Sequence, residues 1–110
     1  MPGWFELSRS ADDQYRFVLK AGNAETILTS ELYRAKSSAE SGIASVQANC
    51  SNDDRYDRKE SGSGKSYFNL KAANHQVIGT SQMYTTASGR DGGIQSVKTN
   101  GVTGTIKDNT

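Results

Sequence analysis

Polar and apolar residues alternate over Tyr15-Arg16-Phe17-Val18-Leu19-Lys20, so Tyr15, Phe17 and Leu19 share one side and Arg16, Val18 and Lys20 the other. This is the period of a β-strand. Gly22-Asn23 follows, two residues that tolerate positive φ and predict a turn. Glu25 to Thr29 then reads as the return strand, with Ile27 inward. Upstream, Trp4 to Leu7 alternates in the same way and runs into a polar cluster, Ser8 to Gln14, which predicts a first strand and its turn. Downstream the period lengthens. Ala39, Ile43 and Val46 recur at i, i+4 and i+7, the apolar stripe of a helix. Ser37 or Ser38 is the expected N-cap, Glu40 would complete a capping box with Ser37, and Asn49 is the expected C-cap. The chain opens as a three-stranded meander followed by a helix.

The same pattern then returns. Shifting residues 15–49 by 51 positions lays them on residues 66–100 without a gap and with fifteen identities, among them Phe17/Phe68, Leu19/Leu70, Asn23/Asn74, Ser30/Ser81, Tyr33/Tyr84, Gly42/Gly93, Ile43/Ile94 and Val46/Val97. A period of this size means one supersecondary unit used twice. The second copy begins with a more polar strand, Arg55 to Lys59, turns at Ser61 to Gly64, and continues as Tyr67 to Lys71, a turn at Asn74, Gln76 to Thr80, and a helix capped by Ser88 with Ile94 and Val97 as its stripe. Val102 to Lys107 is a short β-like segment that can close the sheet. One unit of about 50 residues is marginal for burying its own core. The expectation is therefore an α+β fold in a single domain, residues 1–110. Two tandem β-β-β-α units, 3–53 and 54–107, plus a closing C-terminal strand would form one antiparallel sheet with two helices on one face. A pseudo-twofold axis would relate the units, and residues 108–110 would be a frayed tail. The paired glycines Gly42 and Gly93 point to close approach of each helix to the sheet, and the paired tyrosines Tyr33 and Tyr84 to packing of the connection against the helix, with a symmetric pair of binding hydroxyls as the alternative.

The chemistry-bearing residues are few. Gly62-Ser63-Gly64-Lys65-Ser66 has the end of a phosphate loop, but Lys59 stands where its first glycine belongs and a strand follows where a helix is needed, so it reads as a hairpin turn. His75, the single histidine, has Ala24 as its counterpart, so the unit does not need it, and a triad would require two further residues on the same hairpin. One His and one Cys supply too few soft ligands for a metal site. Cys50 lies near a helix C-terminus, where the dipole disfavours a thiolate. No catalytic, cofactor-binding or metal-ligating set is expected. The lone cysteine favours a reducing compartment, the start MPGWFELSRS lacks the basic-then-apolar pattern of a leader, and no apolar run reaches membrane-helix length, so the cytoplasm is the expected location and no membrane partner is expected.

A formal net charge of +1 gives no global pull toward nucleic acid or anionic lipid, so any basic surface must be local. Alternation supplies one. If the helices cover Phe5, Phe17, Leu19, Phe68 and Leu70, the opposite face carries Trp4, Arg16, Lys20, Arg55, Lys59, Tyr67, Asn69 and Lys71, with Val18 among them and Glu6 and Asp57 as acidic members. Cations interleaved with aromatics on a sheet can contact phosphates and stack on single-stranded bases. A polar, solvated face is the ordinary state of a one-sided antiparallel sheet. The expectation is a non-enzymatic module that binds a protein partner or a second copy of itself, with single-stranded nucleic acid or another anion as the alternative. A ligand on the pseudo-twofold axis could draw on Lys20 and Lys71 together.

GWFEL near the start, RFVLKAGN and FNLKAANHQVIGTSQMY in the meanders, SAESGIASVQAN in the first helix and the KDNT ending together resemble the YegP-like family of small, uncharacterised bacterial proteins. The resemblance covers essentially the whole chain. It implies a β(3)-α-β unit, present twice or as a dimer of single units, with exchanged C-terminal strands and the helices on one face. It implies no enzymatic activity, no ligand and no functional residues to transfer.

Overall fold

The computed structural model describes residues 3–110; Met1 and Pro2, the first positions of the expected domain, lie outside it. The elements run β1 (Trp4–Arg9), β2 (Tyr15–Lys20), β3 (Thr26–Ser30), α1 (Lys36–Asn49), β4 (Tyr56–Glu60), β5 (Ser66–Lys71), β6 (Val77–Thr80), α2 (Ala87–Asn100) and β7 (Ile106–Asp108). Among the described residues the seven strands form one sheet in the order β4-β5-β6-β3-β2-β1-β7. One face is covered by both helices. The residues expected to point inward do so: Phe5, Leu7, Phe17, Leu19, Phe68 and Leu70 are fully buried, together with the helical stripe Ala39, Ile43, Val46, Ile94 and Val97.

All four hairpins use one turn. In each, the first amide donates forward to the carbonyl four residues on, as in Ala21 N to Glu25 O at 2.9 Å and Ala72 N to Gln76 O at 2.9 Å, and the fourth residue is left-handed. Those residues are Asp13, Ala24, Gly64 and His75, at φ 63°, 70°, 81° and 68°. This is a type I turn followed by a left-handed residue. The positive φ expected at Gly22-Asn23 therefore falls one residue later, on Ala24. Asn23 and Asn74 serve the loop with their side chains instead: Oδ1 accepts from the amide two residues on, Glu25 N at 3.2 Å and Gln76 N at 3.1 Å.

The helices start earlier than the serines suggest. Isolated bridges Tyr15–Tyr33 and Ser66–Tyr84 keep each connection extended up to the tyrosine, and the chain turns into the helix just beyond. Ala35 caps α1 without a side-chain bond, and Thr86 caps α2 by accepting from Gly89 N at 2.9 Å. Ser37, Ser38 and Ser88 lie inside the first turns, so neither expected cap forms. At the other ends Asn49 and Asn100 are the last helical residues, and Cys50 and Gly101 hold the cap positions. Each asparagine donates from Nδ2 to the carbonyl of the serine four residues back, Ser45 and Ser96, both at 2.8 Å. Asn100 Oδ1 then accepts from Gly3 N at 2.9 Å, while Asn49 Oδ1 accepts from Arg55 Nε at 3.1 Å. The repeated Ser and Asn are thus the ties between a helix end and the neighbouring chain.

The repeated Tyr and Gly interlock. A methyl at Gly42 would sit 2.6 Å from Tyr33 Oη and 2.9 Å from Phe17, and one at Gly93 would sit 2.6 Å from Tyr84 Cζ. The close approach predicted from the paired glycines is made by the paired tyrosines. The paired serines Ser30 and Ser81 accept from the Phe17 and Phe68 amides at 2.9 and 3.0 Å, where the strands diverge toward those connections.

The strand after each helix is exchanged. β4 follows α1 but pairs with β5, and β7 follows α2 but pairs with β1. The sheet is antiparallel except at β7, which lies parallel to β1. The cause is occupancy. By symmetry with β4 on β5, β7 belongs beside β2, but β1 holds that place through its hairpin. β7 keeps the same direction one position further out, alongside β1. Asp108 is not frayed. It ends β7 and pairs with Lys36 at 2.6 Å, which holds its carboxyl well below the usual range, and Asn109 N donates to Leu7 O at 2.8 Å.

Adjacent glycines of α2 test the interlock. A methyl at Gly92 would meet nothing within 4 Å, so Gly92→Ala should gain about 1 kcal/mol of helix propensity. Gly93→Ala gains the same but is driven into Tyr84, at a cost of about 1–3 kcal/mol. Urea denaturation should show the first variant stabilised and the second destabilised relative to it by at least that steric cost.

Candidate interaction face

The strand register lays out the uncovered face. One row of directly opposed residues crosses the whole sheet: Asp57, Asn69, Thr80, Thr29, Val18, Glu6 and Lys107. Thr29 and Thr80 are each other's counterparts and face one another at the centre. Thr80 Oγ1 donates to Asn69 Oδ1 at 2.8 Å, whereas Thr29 stands opposite Val18, which offers no acceptor.

Flanking this row are the residues expected on the face, and their charges are not equivalent. In the second unit Lys59 and Lys71 both reach Asp57 Oδ2, at 3.3 and 3.2 Å. The hydrogen bond from Lys71, with that from Lys59, holds the Asp57 carboxyl below the usual range. Tyr67 lies half-buried opposite Lys59. Arg55 is a correction: it ends a 3-10 turn, Asp53–Arg55, ahead of β4, and its guanidinium is drawn to Asn49 at the end of α1 rather than spread on the sheet.

In the first unit Trp4 Nε1 donates to Glu6 Oε2 at 2.7 Å, and Lys107 Nζ sits 4.2 Å from the indole centroid, a cation–π geometry. Lys20 is paired in register with Trp4, and Arg16 is exposed opposite Ser8. No carboxylate among the described residues pairs with either cation. Lys107 escaped the alternation argument because its place on the face depends on where β7 docks. Lys20 and Lys71 do not converge. β2 and β5 are three strand spacings apart, about 14 Å, and the antiparallel register sends the two lysines toward opposite ends of the sheet. An axial ligand held by both is excluded.

The remaining candidates are placed as follows. His75 is exposed on its turn, in the left-handed position. Cys50 is fully buried against the end of α2, and burial raises its thiol pKa above the ordinary value. Ser61 to Lys65 is the third hairpin turn. Among the described residues no three His, Cys, Asp or Glu side chains are grouped to hold a metal ion, and no helix is long and apolar enough to cross a membrane.

A seven-stranded, mostly antiparallel sheet built from two exchanged units, with both helices on one side and a mixed-charge face on the other, defines the class. The family model "Domain of unknown function (DUF1508)" matches the chain twice, at residues 10–57 and 61–108, so its unit runs from β2 into β4 and from β5 through β7. The chain is 66% identical to the UPF0339 protein YegP of Escherichia coli K12 over 110 residues, the full length of both, and 67% identical to a UPF0339 protein of Acinetobacter baylyi over 98% of this chain and 97% of that one. The solution NMR structure of the E. coli protein, of unknown function, matches with a TM-score of 0.95 over 100% of this chain and 95% of that one. That of a UPF0339 protein from Shewanella oneidensis, 61% identical, matches with a TM-score of 0.93 over 98% and 92%. The chain belongs to the YegP/UPF0339 family, an uncharacterised group built on a repeated DUF1508 unit.

Asp57→Asn should leave this fold intact, because the side chain lies at the surface, and should release two ammonium groups. Heparin chromatography should then elute the variant at higher salt than the parent. Unchanged elution would mean that Asp57 does not hold Lys59 and Lys71 back from a polyanion.

Proposed function

We propose that the chain is a non-enzymatic binding module of the cytoplasm that docks a protein, or a second copy of itself, on the open sheet face. The observation that carries this is how the carboxylates of the face are engaged. Asp57 takes up Lys59 and Lys71, and Glu6 accepts from the neutral Trp4 indole, so the row between them, Asn69, Thr80, Thr29 and Val18, is uncharged. Such a surface suits a partner with matching polar groups better than a polyanion. The cytoplasmic placement rests on the single cysteine, kept buried and unpaired. A photo-crosslinking side chain at Arg16 or Val18 should give a discrete protein adduct or a crosslinked dimer in cells, and one at the exposed Ala44 on α1 should not. No adduct from either face position would sink the proposal.

A second function is favoured by one observation: Arg16 and Lys20 lack carboxylate partners, with Lys20 opposite Trp4, Lys107 on the indole and Arg16 about 13 Å further along the same strand. This corner would contact single-stranded nucleic acid or another anion. With about three phosphate contacts, affinity for a mixed oligonucleotide should fall roughly tenfold to twentyfold between 50 and 200 mM salt. Amide shifts of the labelled chain should cluster at Trp4, Arg16, Lys20 and Lys107. A flat titration at low salt removes nucleic acid from consideration.

A further inference from the structure

The helix layer contains a cleft that belongs to neither unit alone. It has a volume of about 240 Å³ and lies between the first half of α1 and the β5–β6 hairpin of the other unit. Tyr33, Ser38, Ser41 and Ser45 form one wall, and Asn74, Gln76, Val77 and Ile78 the other. The serines fall at i, i+3 and i+7, so one helical face presents all three hydroxyls. Gly42 lets Tyr33 lie against the helix in this wall, since a methyl there would meet Tyr33 Oη at 2.6 Å.

The lining chemistry is selective. No lining side chain carries a charge. An ion would lose its hydration without a counter-charge, so ions are disfavoured. Hydroxyl and amide groups both donate and accept, which matches a ligand rich in hydroxyls. Val77, Ile78 and Ala72 supply an apolar floor for C–H groups. Tyr33, Ser38 and Ser41 make no side-chain hydrogen bond to any described residue, whereas Ser45 Oγ accepts from Asn49 at 3.3 Å. Three hydroxyls are thus free for a ligand.

The repeat supplies an internal control. At the equivalent positions around α2, Ser38 and Ser41 become Gly89 and Gly92, and Gln76 becomes Glu25. Tyr84 and Ser96 keep the other two hydroxyls, so the fold accepts the site without Ser38 and Ser41 and with a carboxylate, and packing does not require those two serines in the first unit. We propose that this cleft binds a small, uncharged, hydroxyl-rich molecule of the monosaccharide or cyclic polyol class. The open sheet face plays no part in it.

The test is an amide-shift titration of the full labelled chain with glucose, N-acetylglucosamine and inositol, with glucose 6-phosphate and glucosamine as charged counterparts. At least one neutral probe should saturate below about 10 mM, shifting Tyr33, Ser38 to Ser45 and Ala72 to Ile78 while leaving Tyr84, Gly89 to Ser96 and Ala21 to Ile27 in place. Replacing Ser38 and Ser41 by Gly, the residues of the second unit, should weaken that probe about tenfold or more. If that variant folds poorly, the reverse transfer decides the matter. Gly89→Ser, Gly92→Ser and Glu25→Gln together should create saturable shifts at the second position. No saturation by any neutral probe, equal response at both positions, or preference for a charged counterpart would overturn the proposal.

Discussion

Leu28 lies on Gly79, and the rest of the architecture depends on that contact. The two residues occupy the same position in the two units, and they meet because β3 and β6 run side by side at the pseudo-twofold axis. A side chain on the axis meets its own counterpart, and two leucines cannot share the space. The chain resolves this with one large residue and one glycine: a methyl at Gly79 would already sit 2.9 Å from Leu28 Cγ, and as close to the Thr29 carbonyl oxygen. The helix layer repeats the solution, with Cys50 against Gly101, again counterparts in contact. Tandem duplication thus gives the chain what a symmetric pair of single units lacks, the freedom to differ where the halves touch.

This constraint matters because the seam is otherwise thin. β3 and β6 are paired through Thr29–Thr80 and Ser30–Gly79, with one further backbone bond from Glu31 N to Ile78 O at 3.4 Å. What holds the halves together is burial. Each helix packs on strands of both units, α1 on β2, β5 and β6 and α2 on β2, β3 and β5. Ile43, Val46, Ile94 and Val97, all fully buried, therefore join one core with Phe17 and Phe68. Each such side chain contributes about 1.5–3 kcal/mol on burial, far more than the few ladder bonds of the seam. The exchanged strands β4 and β7 extend the same logic to the edges. The duplication also lets function be asymmetric: two lysines sharing one carboxylate on one half of the open face against cations without a carboxylate partner on the other, and serines around one helix against glycines around its counterpart.

Much of this was legible in the sequence because repetition filters it. Alternation in Tyr15–Lys20 and the stripe Ala39, Ile43, Val46 located strands, helices and core, and the return of Gly42 and Tyr33 as Gly93 and Tyr84 marked both as packing positions, though not that they pack on each other. What could not be read is non-local. The parallel docking of β7 depends on β1 having taken the neighbouring place, so Lys107 was missed on the face. Arg55 was misplaced because alternation says where a residue lies on a strand, not that Asn49 of α1 will draw its guanidinium away. The helix caps were misjudged because Ser37 and Ser88 have capping chemistry, but the tyrosine bridges bring the chain into the helix two residues earlier. The cleft was invisible because its walls come from α1 of one unit and a hairpin of the other.

The axial contact is tested by transposing it. Gly79→Leu alone should cost at least about 3 kcal/mol in urea unfolding, because two leucines would compete for one site. Exchanging the pair, Leu28→Gly with Gly79→Leu, should be more stable than the summed loss of the two single changes predicts, because removing Leu28 clears the side-chain part of the clash and leaves only the Thr29 carbonyl. A double variant no more stable than that sum would contradict a seam built on one large residue meeting its own counterpart.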